Sequence, residues 1–292
     1  MYELIKISEH DAYVDCPAKI GIVKTGEGHA VTIDSGSDKD AGKKVLKHID
    51  AEGLKLDAVF ATHSHADHIG GCKLLQDRTG CRVFAAGIEC DITNHTALEP
   101  ALLYGGFPLA DLQHKFLMAQ ESVCEKLTPD VLPDGFEIIP LPGHSFDMIG
   151  IKTADGNVFL GDVVSAEETL KKYGIAFMMD VGAHLDTLEK LKTLDGKMFV
   201  PAHSPATDDI ASLAQVNIDA TIESAEKIVE LCAQPVCFDK LLQGVFNAYG
   251  ITMNTMQFAL MGSTVRSYLA YLANTGKVKY FFDDNIMYWE KA

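Results

Sequence analysis

Positive charge is scarce in this chain: 25 lysines and arginines face 41 aspartates and glutamates, for a formal net charge of −16 and a pI near 5.0. A surface with that balance repels phosphate backbones, which argues against nucleic acid and other polyanions as partners. Apolar runs of membrane-spanning length are missing, and the start, Met1-Tyr2-Glu3-Leu4-Ile5-Lys6-Ile7, has no signal-peptide core. The expectation is a cytoplasmic protein with no membrane contact. The 7 cysteines form no Cys-x-x-Cys pair and are odd in number, so reduced thiols fit better than a disulfide framework. With 292 residues, 47% of them hydrophobic, the chain can bury a large core in one main domain plus a smaller appendage.

Histidine is where the sequence is rich. The stretch Thr62-His63-Ser64-His65-Ala66-Asp67-His68-Ile69-Gly70-Gly71 packs four potential metal ligands into six residues. Leu56 to Thr62 before it is apolar and short and reads as a buried strand. His63 and His65, two apart at its end, fall on one side. Asp67 and His68 lie in the turn before a helix expected from Ile69 to Arg78. Two pairs of ligands at adjacent points suit two metals about 3.5–4 Å apart, the arrangement of hydrolytic two-metal sites.

Further ligand types follow or end other expected strands. Glu137 to Leu141 leads into Pro142-Gly143-His144, Val158 to Leu160 into Gly161-Asp162, and Met198 to Val200 into Pro201-Ala202-His203. Taken singly, a His-x-His or a Gly-Asp is an ordinary surface feature or turn. Together they place five of the 11 histidines in one order. That order, H-x-H-x-D-H followed by P-G-H, G-D and a late P-A-H, resembles the metallo-β-lactamase-fold hydrolases, which include glyoxalase II, lactonases, phosphodiesterases and RNA-processing nucleases.

The resemblance covers about four-fifths of the chain and implies an α/β fold, a four-layer αββα sandwich. It implies that His63, His65 and His144 bind one divalent metal, that Asp67, His68 and His203 bind a second, and that Asp162 bridges them. It further implies that Asp34 supports the histidine cluster from behind, where the residues alone read equally as a turn-forming Asp before Ser35-Gly36, and that Asp67 doubles as the catalytic carboxylate. Zinc is the first expectation for the metals, with iron or manganese as alternatives. The implied chemistry is attack by a hydroxide held between the metals on a small ester, thioester or lactone. Phosphodiester cleavage is the alternative within the fold, and a mono-iron persulfide dioxygenase-like oxidoreductase the alternative outside hydrolysis.

The remaining histidines, His10, His29, His48, His95, His114 and His184, follow no ligand pattern and read as surface or packing residues. The opening forty residues read as an antiparallel sheet of Leu4 to Ile7, Ala18 to Lys24 and His29 to Asp34. Asp38 to Ala51 reads as a helix stopped by Gly53. Asn94 to Gly135 lacks clean periodicity, and its apolar groups, like Tyr173 and Phe177 later, read either as a wall over the metals or as local packing.

Asp208 to Gln234 reads as a long amphipathic helix ending before Pro235, which places a catalytic domain over 1–234 and a second over 235–292. In the latter, helices over Phe238 to Tyr249, Asn254 to Met261 and Ser263 to Ala273 precede a hairpin around Asp283-Asp284-Asn285, a winged-helix-like pattern. Val265, Leu269 and Leu272 form the buried stripe of its last helix, leaving Arg266 as that helix's one cation, while Asp283 and Asp284 sit at the wing tip. DNA binding needs several cations on one surface. A substrate-pocket wall, a buttress or a homodimer contact is therefore the expected role.

Overall fold

The structure, a computed structural model, describes residues 2–292. A seven-stranded sheet runs in sequence order: β1 (Glu3–Lys6), β2 (Asp11–Asp15), β3 (Ile20–Gly26), β4 (His29–Ile33), β5 (Lys55–Ala61), β6 (Arg82–Ala85) and β7 (Cys124–Lys126). The first four strands are antiparallel neighbours, and β4 to β7 are parallel. A second sheet holds β8 (Glu137–Pro140), β9 (Ile149–Lys152), β10 (Val158–Gly161) and β11 (Phe199–Pro201), with β10 and β11 parallel.

Strand periodicity builds the layers. In β5, Ala58 and Phe60 face the second sheet, where they meet Ile149, Ile151, Phe159 and Val200. Val59 and Ala61 face the opposite way, onto a core shared with helices α1 (Lys39–Ala51) and, after the short α2 (Ala66–Ile69), α3 (Cys72–Thr79). After α4 (Gly87–Asn94), α5 (Leu98–Tyr104) and α6 (Glu167–Tyr173), helices α7 (Val181–Leu191) and α8 (Ile210–Leu231) cover the outer face of the second sheet. The order helix, sheet, sheet, helix is the expected four-layer sandwich.

Caps account for the helix starts. Asp38 accepts from the backbone N–H groups of Asp40 and Ala41 at the head of α1, and Asp180 and Asp209 cap α7 and α8 in the same way. Glycine accounts for a break: the helix expected from Ile69 to Arg78 is two, α2 and α3, parted at Gly70-Gly71. A Cβ on Gly70 would lie 2.3 Å from the carbonyl of Ser37, and one on Gly71 2.4 Å from that of Ser35. The chain passes too close to the 35–37 loop there for any side chain. Two other differences are additions: β2 lies outside the three strands expected in the opening sheet, and the segment 94–135 contains α5 and β7.

The tail comprises β12 (Val236–Cys237), α9 (Phe238–Tyr249), α10 (Thr255–Asn274), β13 (Val278–Asp283) and β14 (Ile286–Lys291), with the strands ordered β12-β14-β13. The two helices expected over Asn254 to Met261 and Ser263 to Ala273 are the single 20-residue α10. Gly262 does not end it. A helix-interior glycine costs only about 1 kcal/mol, and burial of Val265, Tyr268, Leu269 and Leu272 on the same helix outweighs that. The third helix of the tail's core is α8, since Ile228 and Cys232 pack with Leu241, Val245, Phe246 and Leu269. Met178 and Val181 join the same cluster, so one core runs across position 234. Among the described residues, no helix is long and apolar enough to cross a membrane.

Candidate metal centre

Strand ends converge on one point. His63 follows β5, Asp34 follows β4, Asp162 follows β10, His203 follows β11, and His144 lies beyond the end of β8. Donor atoms of His63, His65, His144 and Asp162 all lie within 4.8 Å of one another, and so do those of Asp67, His68, Asp162 and His203. All seven expected ligands are thus brought together, with Asp162 common to both groups. His203 Nε2 is 3.2 Å from one oxygen each of Asp67 and Asp162, and His68 Nε2 is 3.0 Å from the other oxygen of Asp162.

The far side of each ring fixes which nitrogen points inward. His144 Nδ1 donates to the Phe177 carbonyl at 3.1 Å and His203 Nδ1 to the Pro17 carbonyl at 2.6 Å. His68 Nδ1 meets Asp34 Oδ2 at 2.8 Å, and His63 Nδ1 meets Thr62 Oγ1 at 3.0 Å. With Nδ1 occupied outside, Nε2 of these four rings is the inward donor, whereas His65 turns its Nδ1 inward, 3.1 Å from His144 Nε2. Asp34 is itself held by Thr62, which donates from its N–H at 2.7 Å and its hydroxyl at 2.9 Å. It is buried and sits at φ 63°, in the left-handed region that aspartate tolerates better than most residues.

Charge within the cluster is poorly balanced without a cation. Burial, with neighbouring histidines, pushes His65 and His144 down to about 4 and His63 well below its ordinary value. Asp162, with further carboxylates, drives His203 up to about 10; His68 is raised despite its burial by Asp162, Asp34 and Asp67. Against the cost of their own burial, Asp67 is held at about 2 by His68 and His203, and Asp162 is held well below the usual carboxylate range by His203 and His68. His68 Nε2 and Asp162 Oδ1, though 3.0 Å apart, are not aligned as a hydrogen bond, and with His63 Nε2 they are buried with no hydrogen-bond partner. Buried polar atoms are rarely left so. Five imidazoles and two carboxylates with three orphaned inward atoms fit divalent metal ions of the zinc, iron or manganese type.

Of the residues that shape the centre, Glu89 and His184 carry no signal readable in the sequence, while Phe177 is among the apolar residues expected as a wall over the metals or as packing. Glu89 in α4 is fully buried and accepts from the Ser64 N–H and hydroxyl and from the Asp147 N–H, tying the His63–His65 loop to the His144 loop. Phe177 packs edge-on to His65 and His144, with ring centroids 5.3 and 5.5 Å away. His184, expected as a packing residue, is 5% exposed and lines a cavity of about 250 Å³ bounded by His144, Asp162 and His203. A larger cavity of about 970 Å³ is lined by Val23, Val31, Phe60 and Phe84 between the sheets and by none of the seven ligands.

A four-layer sandwich with this donor set at one end defines the class: the chain belongs to the metallo-beta-lactamase superfamily, whose family model matches residues 14–203. It is 42% identical over 137 residues to a hydroxyacylglutathione hydrolase of Methylobacillus flagellatus, covering 47% of this chain and 44% of that protein. It is 23% identical over 211 residues to the Drosophila melanogaster beta-lactamase-like protein 2 homolog, covering 70% of this chain and 64% of the relative. The matches thus span only part of these relatives' length. A beta-lactamase domain protein from Burkholderia ambifaria superposes with a TM-score of 0.73 at 16% identity, covering 99% of this chain and 95% of that one. A metallo-beta-lactamase family protein from Thermus thermophilus gives 0.67 at 16% identity, covering 99% and 98%. These two likenesses show the fold, tail included.

Proposed function

We propose that the protein is a metal-dependent hydrolase of small esters, thioesters or lactones that works with two divalent metals. The observation that carries this reading is Asp162, one carboxylate shared by two complete sets of donors. His63, His65 and His144 would hold one metal and Asp67, His68 and His203 the other. Zinc is the first choice, with iron and manganese compatible with the same donors. Bound there, such metals supply Lewis acidity toward a carbonyl and a water whose pKa falls from ~15.7 toward ~7.

The chain's own residues do the rest. Rings anchored at Nδ1 keep their Nε2 lone pairs directed inward with little reorganisation. Asp67, its side chain 41% exposed, offers a carboxylate oxygen that orients the attacking water and takes its proton. Phe177 keeps bulk water from the side of His65 and His144. The net charge of −16 favours small substrates over RNA. On this reading residues 235–292, a winged-helix-like appendage to 1–234, serve as a wall of the substrate pocket.

Elemental analysis of protein purified without added metal, with a panel of thioester, lactone and phosphodiester substrates, tests the proposal. Two metals per chain with turnover on a carbonyl substrate support it, and His65→Ala or Asp67→Ala then removes nearly all turnover while unfolding stays cooperative. One iron per chain with no hydrolysis would move the protein to the mono-iron oxidoreductases.

A further inference from the structure

The cavity beside the ligands has a composition that speaks to substrate choice. Val163, Leu170, Ile175, Ile251, Leu260 and Met261 give it apolar walls. Among the described residues, no lysine or arginine lines it. Nearby Lys171 pairs with Glu167, and Lys172 lies 4.8 Å over the ring of Tyr173. On the other flank of the ligands Glu99 adds a further carboxyl, in a crevice bounded by His65 and Phe177. Beyond direct contact with the metal ions, an anionic group entering from either side would be desolvated with no lysine or arginine to pair with, which costs several kcal/mol.

Two polar groups in the cavity are uncommitted or neutral. His184 is 5% exposed and its Nδ1 has no hydrogen-bond partner. Gln257 presents a neutral amide from α10, whereas Asn217 is already engaged with Ser165 and Leu213. The volume of about 250 Å³ lies below the ~300–1,000 Å³ of drug-sized ligand sites, and so holds an acyl group of several carbons.

We propose that this cavity receives the uncharged, compact acyl part of the substrate, with His184 available to hydrogen-bond a hydroxyl carried on that acyl chain, and that acyl groups and leaving groups bearing carboxylates are disfavoured. The inference rests on the hydrolase reading above and narrows it. It also separates this chain from any substrate whose leaving group is a charged tripeptide such as glutathione, despite the names its relatives carry.

The test compares acyl groups of equal length. Metal-loaded full-length protein is assayed with the hexanoyl and the adipoyl thioester of N-acetylcysteamine and with S-hexanoylglutathione. The neutral hexanoyl thioester is expected to show a kcat/KM at least tenfold above both anionic compounds. Gln257→Lys places a cation in the cavity and should shrink the hexanoyl-to-adipoyl ratio at least tenfold. With the 6-hydroxyhexanoyl thioester, His184→Leu should raise KM with little change in kcat, and His184→Gln should recover the loss.

Equal rates on neutral and anionic substrates, or a ratio unmoved by Gln257→Lys, overturn the proposal. Calorimetric titration with hexanamide and with adipic acid monoamide separates its failure from that of the hydrolase reading. Tighter binding of hexanamide without turnover on any thioester leaves the cavity assignment standing and sinks the hydrolase. Equal binding of the two probes sinks the cavity assignment whatever the turnover.

Discussion

Asp34 closes one strand and braces one ligand. Its carboxylate takes both Thr62 donors and the Nδ1 of His68, so the ring cannot swing from the cluster without abandoning a buried partner. Removing such a brace typically costs 10–100-fold in metal affinity. Asp34→Ala is expected to weaken binding at the Asp67, His68, His203 position by about that factor, measured by competition with a chelating dye. An unchanged affinity would make Asp34 a turn residue only. Proton linkage gives a second residue-scale prediction. His203 is raised to about 10 and so keeps its proton at pH 7 in the metal-free protein, and His68 is shifted toward its protonated form as well. Metal must displace those protons, so apparent affinity rises as pH increases from 6 toward 9. Direct titration with proton counting in two buffers of different ionisation enthalpy measures it, and pH-independent binding would contradict the charge arrangement. For the free protein the sign is opposite: the stabilisation from protonated His203 is complete below its unfolded value near 6.5 and fades as pH rises toward 10.

At the scale of elements, glycines decide two outcomes in opposite directions. Gly70 lets α2 and α3 part around the 35–37 loop, and a methyl there collides with backbone. Gly70→Ala is expected to destabilise the fold by about 1–3 kcal/mol or more and to loosen His68, seen as a lower Tm and weaker metal retention. Gly262 sits within α10, where an added Cβ would meet only the flexible end of Arg266 at 3.3 Å and Leu242 at 3.8 Å. Gly262→Ala should therefore stabilise by about 0.5–1 kcal/mol in denaturant unfolding, and a loss instead would mean that Arg266 cannot yield. The same contrast explains what the sequence made legible. The run from His63 to His68 is a local cluster whose spacing already carries its chemistry, and strand-end placement recovered His144, Asp162 and His203. Glu89 and His184 act only through partners distant in sequence, and no local pattern marks them, whereas Phe177 was legible only as an apolar residue that either walls the metals or packs locally. The break expected at Gly262 failed because helix propensity is a weak term against a buried face.

Across the whole molecule, all seven proposed ligands come from residues 63–203, while α10 supplies Gln257, Leu260 and Met261 to the cavity beside them. Deleting residues 235–292 is expected to leave metal content per chain unchanged but to abolish discrimination between substrates. It also bares Met178, Ile228 and Cys232, which pack against the tail. The shortened chain should self-associate, as light scattering after size-exclusion chromatography would show. Loss of its metals instead would assign the tail a role in bracing the ligands themselves.

The division has a practical side. Mutations that remodel α10 touch no donor atom, so on the proposed reading substrate choice can change while the donor set is kept. A grafted tail from a related protein should then transplant preference, making residues 235–292 the natural segment to shuffle when new catalysts are bred from this scaffold.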